Sequence, residues 1–129
     1  MYFVLFRNII RRFFYIVETV MSVNGIWKVE MLGPYGWESV STAFLEDGRY
    51  LASSQDHYAV GGYEVTGSEI KVAASMHAHG EIRTMFGAKN PQMDLSFHGS
   101  VNGDQISGHA EDAQKKYSIT FRATRLADL

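Results

Sequence analysis

Five histidines, at positions 57, 77, 79, 98 and 109, are the residues of this chain best suited to chemistry. Imidazoles hold zinc-type metals where three or four ligands converge. His77-x-His79 puts two rings on one face of a strand, because side chains alternate. A turn with Asn102-Gly103 at its tip pairs Val101 with Asp104, sets Phe97 opposite Gly108 and His98 opposite Ser107, and leaves His98 diagonal to His109. The same alternation places these four imidazoles opposite the apolar set, and no carboxylate is clearly positioned with them. We therefore assign no metal ligand and no cofactor.

Other chemistries find less. Glu46, Glu64 and Asp94 are separated by strand or by face, so no acid/base carboxylate pair forms. "GGYEVTGS" lacks the Lys-Ser/Thr ending of a phosphate loop, and neither Gly-x-Ser-x-Gly nor His-Glu-x-x-His occurs. Without cysteine there is no disulfide, thiolate site or Cys nucleophile. The expectation is a protein that is not an enzyme and has no catalytic residue.

The elements that must position these residues are strands. After residue 22 the apolar period is two, and turn signals arrive at short spacing, which is the pattern of an antiparallel all-β domain. Eight strands are predicted. The first, about 25 to 32, alternates Trp27, Val29 and Met31 with Lys28 and Glu30. The second, about 37 to 45, ends at Glu46-Asp47-Gly48, a tight-hairpin signal because Asp-Gly accepts positive φ. The third (about 48 to 53) and fourth (about 57 to 65) flank "SSQD", and "VTGSE" makes the next hairpin. The fifth sets Ile70, Val72, Ala74, Met76 and Ala78 against Lys71, Ala73, Ser75, His77 and His79. Residues 80 to 91 form one long connection, a candidate functional loop. The sixth places Met93, Leu95, Phe97 and Gly99 on one face. The seventh carries Ile106, Gly108 and Ala110, and the eighth Tyr117, Ile119, Phe121 and Ala123.

Sequential strands without crossover helices lose their edges best by closing into an up-and-down barrel. Inward Ala74, Gly99, Gly108, Ala110 and Ala123 leave room for Trp27, Phe97 and Phe121 to fill the interior, or for a narrow cavity. The 129 residues, 46% hydrophobic and 13% aromatic, suffice for one packed domain over residues 23–129.

Residues 1–22 differ. On a helix, Arg7, Asn8, Arg11, Arg12, Tyr15, Glu18 and Thr19 cover one side, and Phe3, Phe6, Ile10, Phe13, Phe14, Val17 and Val20 most of the other. Three arginines interrupt the stretch where a signal peptide or spanning helix should be uncharged. This amphipathic helix would dock on its own barrel or a partner, or lie on a membrane surface; alternatively it is sequence upstream of a natural start at Met21, the origin we favour. Arg7, Arg11 and Arg12 against Glu18 give residues 1–20 a charge of +2, so with −2 overall the rest carries −4. An acidic body is a poor nucleic-acid surface. The absence of cysteine and of an Asn-x-Ser/Thr sequon is compatible with a cytoplasmic protein.

Gly25-x-Trp27 on the first strand resembles the opening signature of lipocalins, which implies that the Trp closes one barrel end beneath an arginine of the last strand, here Arg122 or Arg125. Over residues 21 to 125 the order "NGIWKVEML", "LEDGRYLASS", "YAVGGYEVTGSEI" resembles the GrlR family, bacterial proteins named for a negative regulator of type III secretion. The matching residues are Gly25 and Trp27, Asp47-Gly48-Arg49, Gly61, Tyr63-Glu64-Val65 and Gly67. The resemblance implies a lipocalin-like eight-stranded barrel, a homodimer, and regulation by contact with a transcription activator. The family's acidic Glu-Asp-Glu-Asp loop is missing; the nearest acidic pairs are Glu46-Asp47 and Glu111-Asp112.

Two functional expectations follow. The first is a regulatory module acting by protein contact, with Glu46, Asp47, Tyr50 and Tyr58 as partner-binding candidates; Tyr50, Tyr58, Tyr63 and Trp37 would line a ligand mouth or an interface. The alternative is a carrier or sensor of a small apolar ligand, such as a lipid or fatty acid. Its cavity would lie among Trp27, Val29, Met31, Tyr63, Met76, Leu95, Phe97 and Phe121, residues whose simplest role is core.

Overall fold

Alternating apolar and polar residues give each strand one face to bury, and Asp-Gly and Gly-x pairs at the turns reverse the chain without steric cost. The computed structural model describes residues 22–80, 84–85, 88–89 and 91–129. Its strands are β1 (Gly25–Gly33), β2 (Gly36–Glu46), β3 (Arg49–Ser53), β4 (His57–Thr66), β5 (Glu69–Ala78), β6 (Thr84–Met85), β7 (Ala88–Lys89), β8 (Gln92–Asn102), β9 (Gln105–Asp112) and β10 (Ser118–Asp128). Eight of them close an antiparallel barrel in the order β1-β10-β9-β8-β5-β4-β3-β2, while β6 and β7 pair with each other within the long connection. The expected all-β up-and-down barrel is thus present. No helix of the described residues is long and apolar enough to cross a membrane. The helix expected over residues 1–22 falls on residues 1–21, which lie outside the described residues.

Chain reversals sort into two ends. At one, which we call the lower end, Asp47-Gly48, Gly67-Ser68 and Gly103-Asp104 each turn in two residues. At the upper end, Pro34-Tyr35 is joined by the longer connections 54–56, 79–91 and 113–117.

Asp47 and Gly48 both have positive φ (50° and 87°), as a type I′ hairpin requires. The β8–β9 hairpin differs from expectation. Asn102 pairs with Gln105, so Gly103 and Asp104 form the tip, and only Gly103 has positive φ (65°), the demand of a turn with Gly at its first central position. The two-residue slip keeps every side chain on its expected face but changes the pairs. Phe97 lies opposite Ala110 rather than Gly108, and His98 lies directly opposite His109 rather than Ser107. Gly99 and Gly108 are partners, and a Cβ on Gly108 would collide with the His98 carbonyl. The bare backbone there admits the Phe121 ring, which meets Phe97 edge-on at 5.2 Å.

Two bulges adjust the register. Between β1 and β10 the pairing passes from Ile26↔Ala127 to Trp27↔Arg125, skipping Leu126 and setting Arg125 across from Trp27. Between β1 and β2 it passes from Val29↔Ser41 to Glu30↔Ser39, skipping Val40, so Glu38 lies across from inward-facing Met31.

Candidate functional site

The lower end is shut. Trp27 is 1% exposed, and its indole Nε1 donates to Val23 O at 2.9 Å. Arg125 covers it, with the guanidinium 4.7 Å from the ring centroid, a favourable cation–π distance. The same guanidinium donates to Asn24 O (2.6 Å), Ser22 O (3.0 Å) and Asp104 Oδ1 (2.9 Å), tying the chain before β1 to the β8–β9 turn. Arg125 is therefore the covering arginine. Arg122 has another place on the outside, bonded to Glu30 (2.8 Å) and stacked 4.1 Å over the Trp37 ring. That bond holds the Glu30 carboxyl below its ordinary pKa.

Around the plug, Trp27, Ala43, Leu45, Ile70, Val72, Ile106, Phe121 and Ala123 leave a void of only about 30 Å³. This half is filled core, and any guest there would have to displace side chains.

Above it the barrel is hollow. A cavity of about 300 Å³ lies among Val29, Met31, Tyr50, Ala52, Ala59, Met76, Leu95 and Phe97, with Glu38, Ser39, Ser41, the segment Ser53–Asp56, His57 and Tyr58 toward its mouth. The void exists because the paired inward positions of β3 and β4 carry Ala52 and Ala59, whose single methyl groups fill little of the interior. Val29, Tyr50 and Phe97 border both spaces and partition them.

Of the residues expected to line a cavity, Val29, Met31, Met76, Leu95 and Phe97 do so in the upper half. Trp27 and Phe121 belong to the lower core, and half-buried Tyr63 donates its hydroxyl to Asn24 Oδ1 (3.0 Å) at the lower end.

The partner-binding candidates are scattered. Tyr50 is corrected outright: only 7% exposed, it faces the interior against Phe97 at 5.9 Å, because the Asp47-Gly48 hairpin pairs it with inward Leu45. Burial raises its hydroxyl pKa. Glu46 is exposed. Asp47 is exposed but tied to Asn24 by its backbone N–H (3.0 Å) and its carboxylate (3.1 Å). Tyr58, 42% exposed, stacks on His77 at 5.0 Å and His79 at 6.1 Å at the upper rim. Among the described residues no three His, Cys, Asp or Glu side chains converge as metal ligands.

His57 stands apart from the four outward histidines. It points inward, is 7% exposed, and its Nε2 has no hydrogen-bond partner among the described residues. The sequence signal was its parity with Tyr63 and Val65 across small Ala59 and Gly61. The long 80–91 connection contributes the β6–β7 ribbon at this same end. Compared with family models and with curated proteins, the chain matches none.

Proposed function

We propose that this protein is a non-enzymatic binding module, a carrier or sensor that holds one small, largely apolar molecule in the upper half of its barrel. The observation that carries this reading is the cavity of about 300 Å³ above a filled and plugged lower half. A concave, mostly apolar space with a few convergent polar groups is the usual form of a small-molecule site. The space lies at the small end of ligand pockets, which run from about 300 to 1,000 Å³, so a long acyl chain would protrude from the mouth. Small aromatic or short aliphatic molecules fit better than the fatty acids a lipid carrier would take. Native mass spectrometry of protein purified from its host tests this. One small adduct per chain is expected; a bare mass with no shift in melting temperature across a panel of small apolar compounds would sink the proposal.

The second reading is contact with a transcription activator, as a homodimer in the manner of the GrlR-like and lipocalin-like resemblance, placing the protein in the cytoplasm. One observation favours it: Phe44, Leu51 and Val60 stand in register across β2, β3 and β4 on the outer face, 37%, 36% and 43% exposed. This row backs the strands whose inner faces line the cavity. Light scattering of wild type and Leu51→Glu tests for a dimer; two monomeric proteins would remove the support that this row provides.

A further inference from the structure

We propose that residues 1–20 form an amphipathic helix lying on the outside of this same barrel, its apolar side covering the strip of Leu126, Ile26, Phe44, Leu51 and Val60. This goes beyond both functional readings and gives the outer row an occupant from its own chain. Strand register lays the strip out. Phe44 pairs with Ile26 of β1 on one side and with Leu51 of β3 on the other, Leu51 pairs with Val60 of β4, and Leu126 stands in the β10 bulge beside Ile26. Ile26 is half-buried, and the other four are exposed, from 36% at Leu51 to 58% at Leu126. A single exposed Leu is ordinary, whereas an apolar strip that crosses from β10 to β4 marks a contact surface. Past Val60 it stops, because the next outward partners are Ser75 on β5 and Asp94 on β8.

Three observations select the occupant. The first is where the chain leaves the barrel: Ser22 O and Asn24 O accept from Arg125, the residue before Leu126, and the Asn24 side chain joins Asp47, in the turn that follows Phe44. Residues 1–21, which lie outside the described residues, therefore start beside the strip. The second is pattern and length. Phe6, Ile10, Phe13, Val17 and Val20 recur at the spacing that makes one apolar side of a helix. As a helix, Phe3 to Val20 would span about 25 Å at about 1.5 Å per residue, enough to cover a strip of roughly 19 Å across four strand spacings of about 4.8 Å. The third is charge. Residues 1–20 carry +2 against −4 for the rest, so the segment is drawn to the barrel, whereas a second barrel would bring like charge to the strip. A helix this short is marginal alone in water, and apolar surface at the strip stabilises it.

The test is paramagnetic broadening in the full chain, which has no cysteine of its own to take a label. A nitroxide is attached at Arg49→Cys, exposed on β3 near Leu51, or at Ser107→Cys, exposed on β9 at the opposite side of the barrel. The Arg49→Cys label should broaden the amide signals of residues 6–20, and the Ser107→Cys label should leave them sharp. Adding Leu51→Glu to the Arg49→Cys chain should restore those signals, while the amides of β2 and β4 beside the label stay broadened and show the barrel still folded. Equal broadening from both labels, none from either, or broadening that survives Leu51→Glu overturns the proposal. Mixing labelled Arg49→Cys chain with unlabelled ¹⁵N chain separates a second copy as the occupant: an undisturbed ¹⁵N spectrum is expected, and broadening of its β2–β4 amides overturns the proposal. Should Leu51→Glu fail to fold, the two labels and the mixed sample decide without it.

Discussion

At the lower end of the barrel, two-residue hairpins surround a tryptophan sealed beneath an arginine, and the neighbouring void is about 30 Å³. At the upper end, longer connections surround a cavity of about 300 Å³. The same strands run through both, so strand geometry is not what distinguishes them. Side-chain volume does: Trp27, Leu45, Ile70, Ile106 and Phe121 converge below, whereas Ala52 and Ala59 leave the upper space open. A barrel that concentrates its packing at one end can leave the other under-filled without unfolding, and a binding site needs just such a tolerance.

The sharpest way to break this contrast is at the plug. Trp27→Ala removes the largest fully buried side chain and should cost about 3–5 kcal/mol, as large aromatic truncations do; urea unfolding would read it. Arg125→Ala strips donors from Asn24 O, Ser22 O and Asp104, and should cost about 2–3 kcal/mol by the same measurement, since bonds to charged groups are the stronger ones. A matched pair compares the halves directly. Ala43→Leu pushes a larger side chain into filled core and should destabilise by about 1–3 kcal/mol. Ala59→Leu, facing the cavity, should change stability by less than about 1 kcal/mol while weakening ethylbenzene binding; equal costs for the two would erase the distinction.

The smallest effect is the pH dependence. The Arg122 hydrogen bond lowers the Glu30 pKa, and Asp112 is lowered by backbone N–H donation from Tyr117 and Lys116. Their contribution is present above the unfolded values, about 4.3 for Glu and about 3.9 for Asp, and is lost as pH falls through the lowered folded values. Tyr50 has the opposite sign: burial favours its neutral form, so stability is full below its unfolded value near about 10 and declines as pH rises beyond it. Urea midpoints across pH should show both limbs, and Tyr50→Phe should flatten the alkaline limb alone.

Strand order and barrel closure were legible because alternation and hairpin residues act locally: Trp27-Val29-Met31 and Asp47-Gly48 each declare face or turn on their own. The β8–β9 register was not, since Asn102-Gly103 and Gly103-Asp104 are both acceptable tips, and the choice rests on the Gly99–Gly108 approach across two strands. Tyr50 was misjudged because tyrosine suits both a surface and a core; counting back across the hairpin to Leu45 would have placed it inside. The bulge at Val40, which brings Glu38 to the cavity, leaves no mark in the alternation of β2 alone. Hollowness depends on which volumes meet across the barrel, and periodicity does not report that.

Methyl-resolved NMR during titration with ethylbenzene tests the central claim, that the upper half is a site and the lower half is core. Saturable shifts are expected at Met31, Ala52, Ala59, Met76 and Leu95, with Ile70, Ile106 and Ala123 nearly still. Shifts centred on the lower set, or none at saturating ligand, would contradict it.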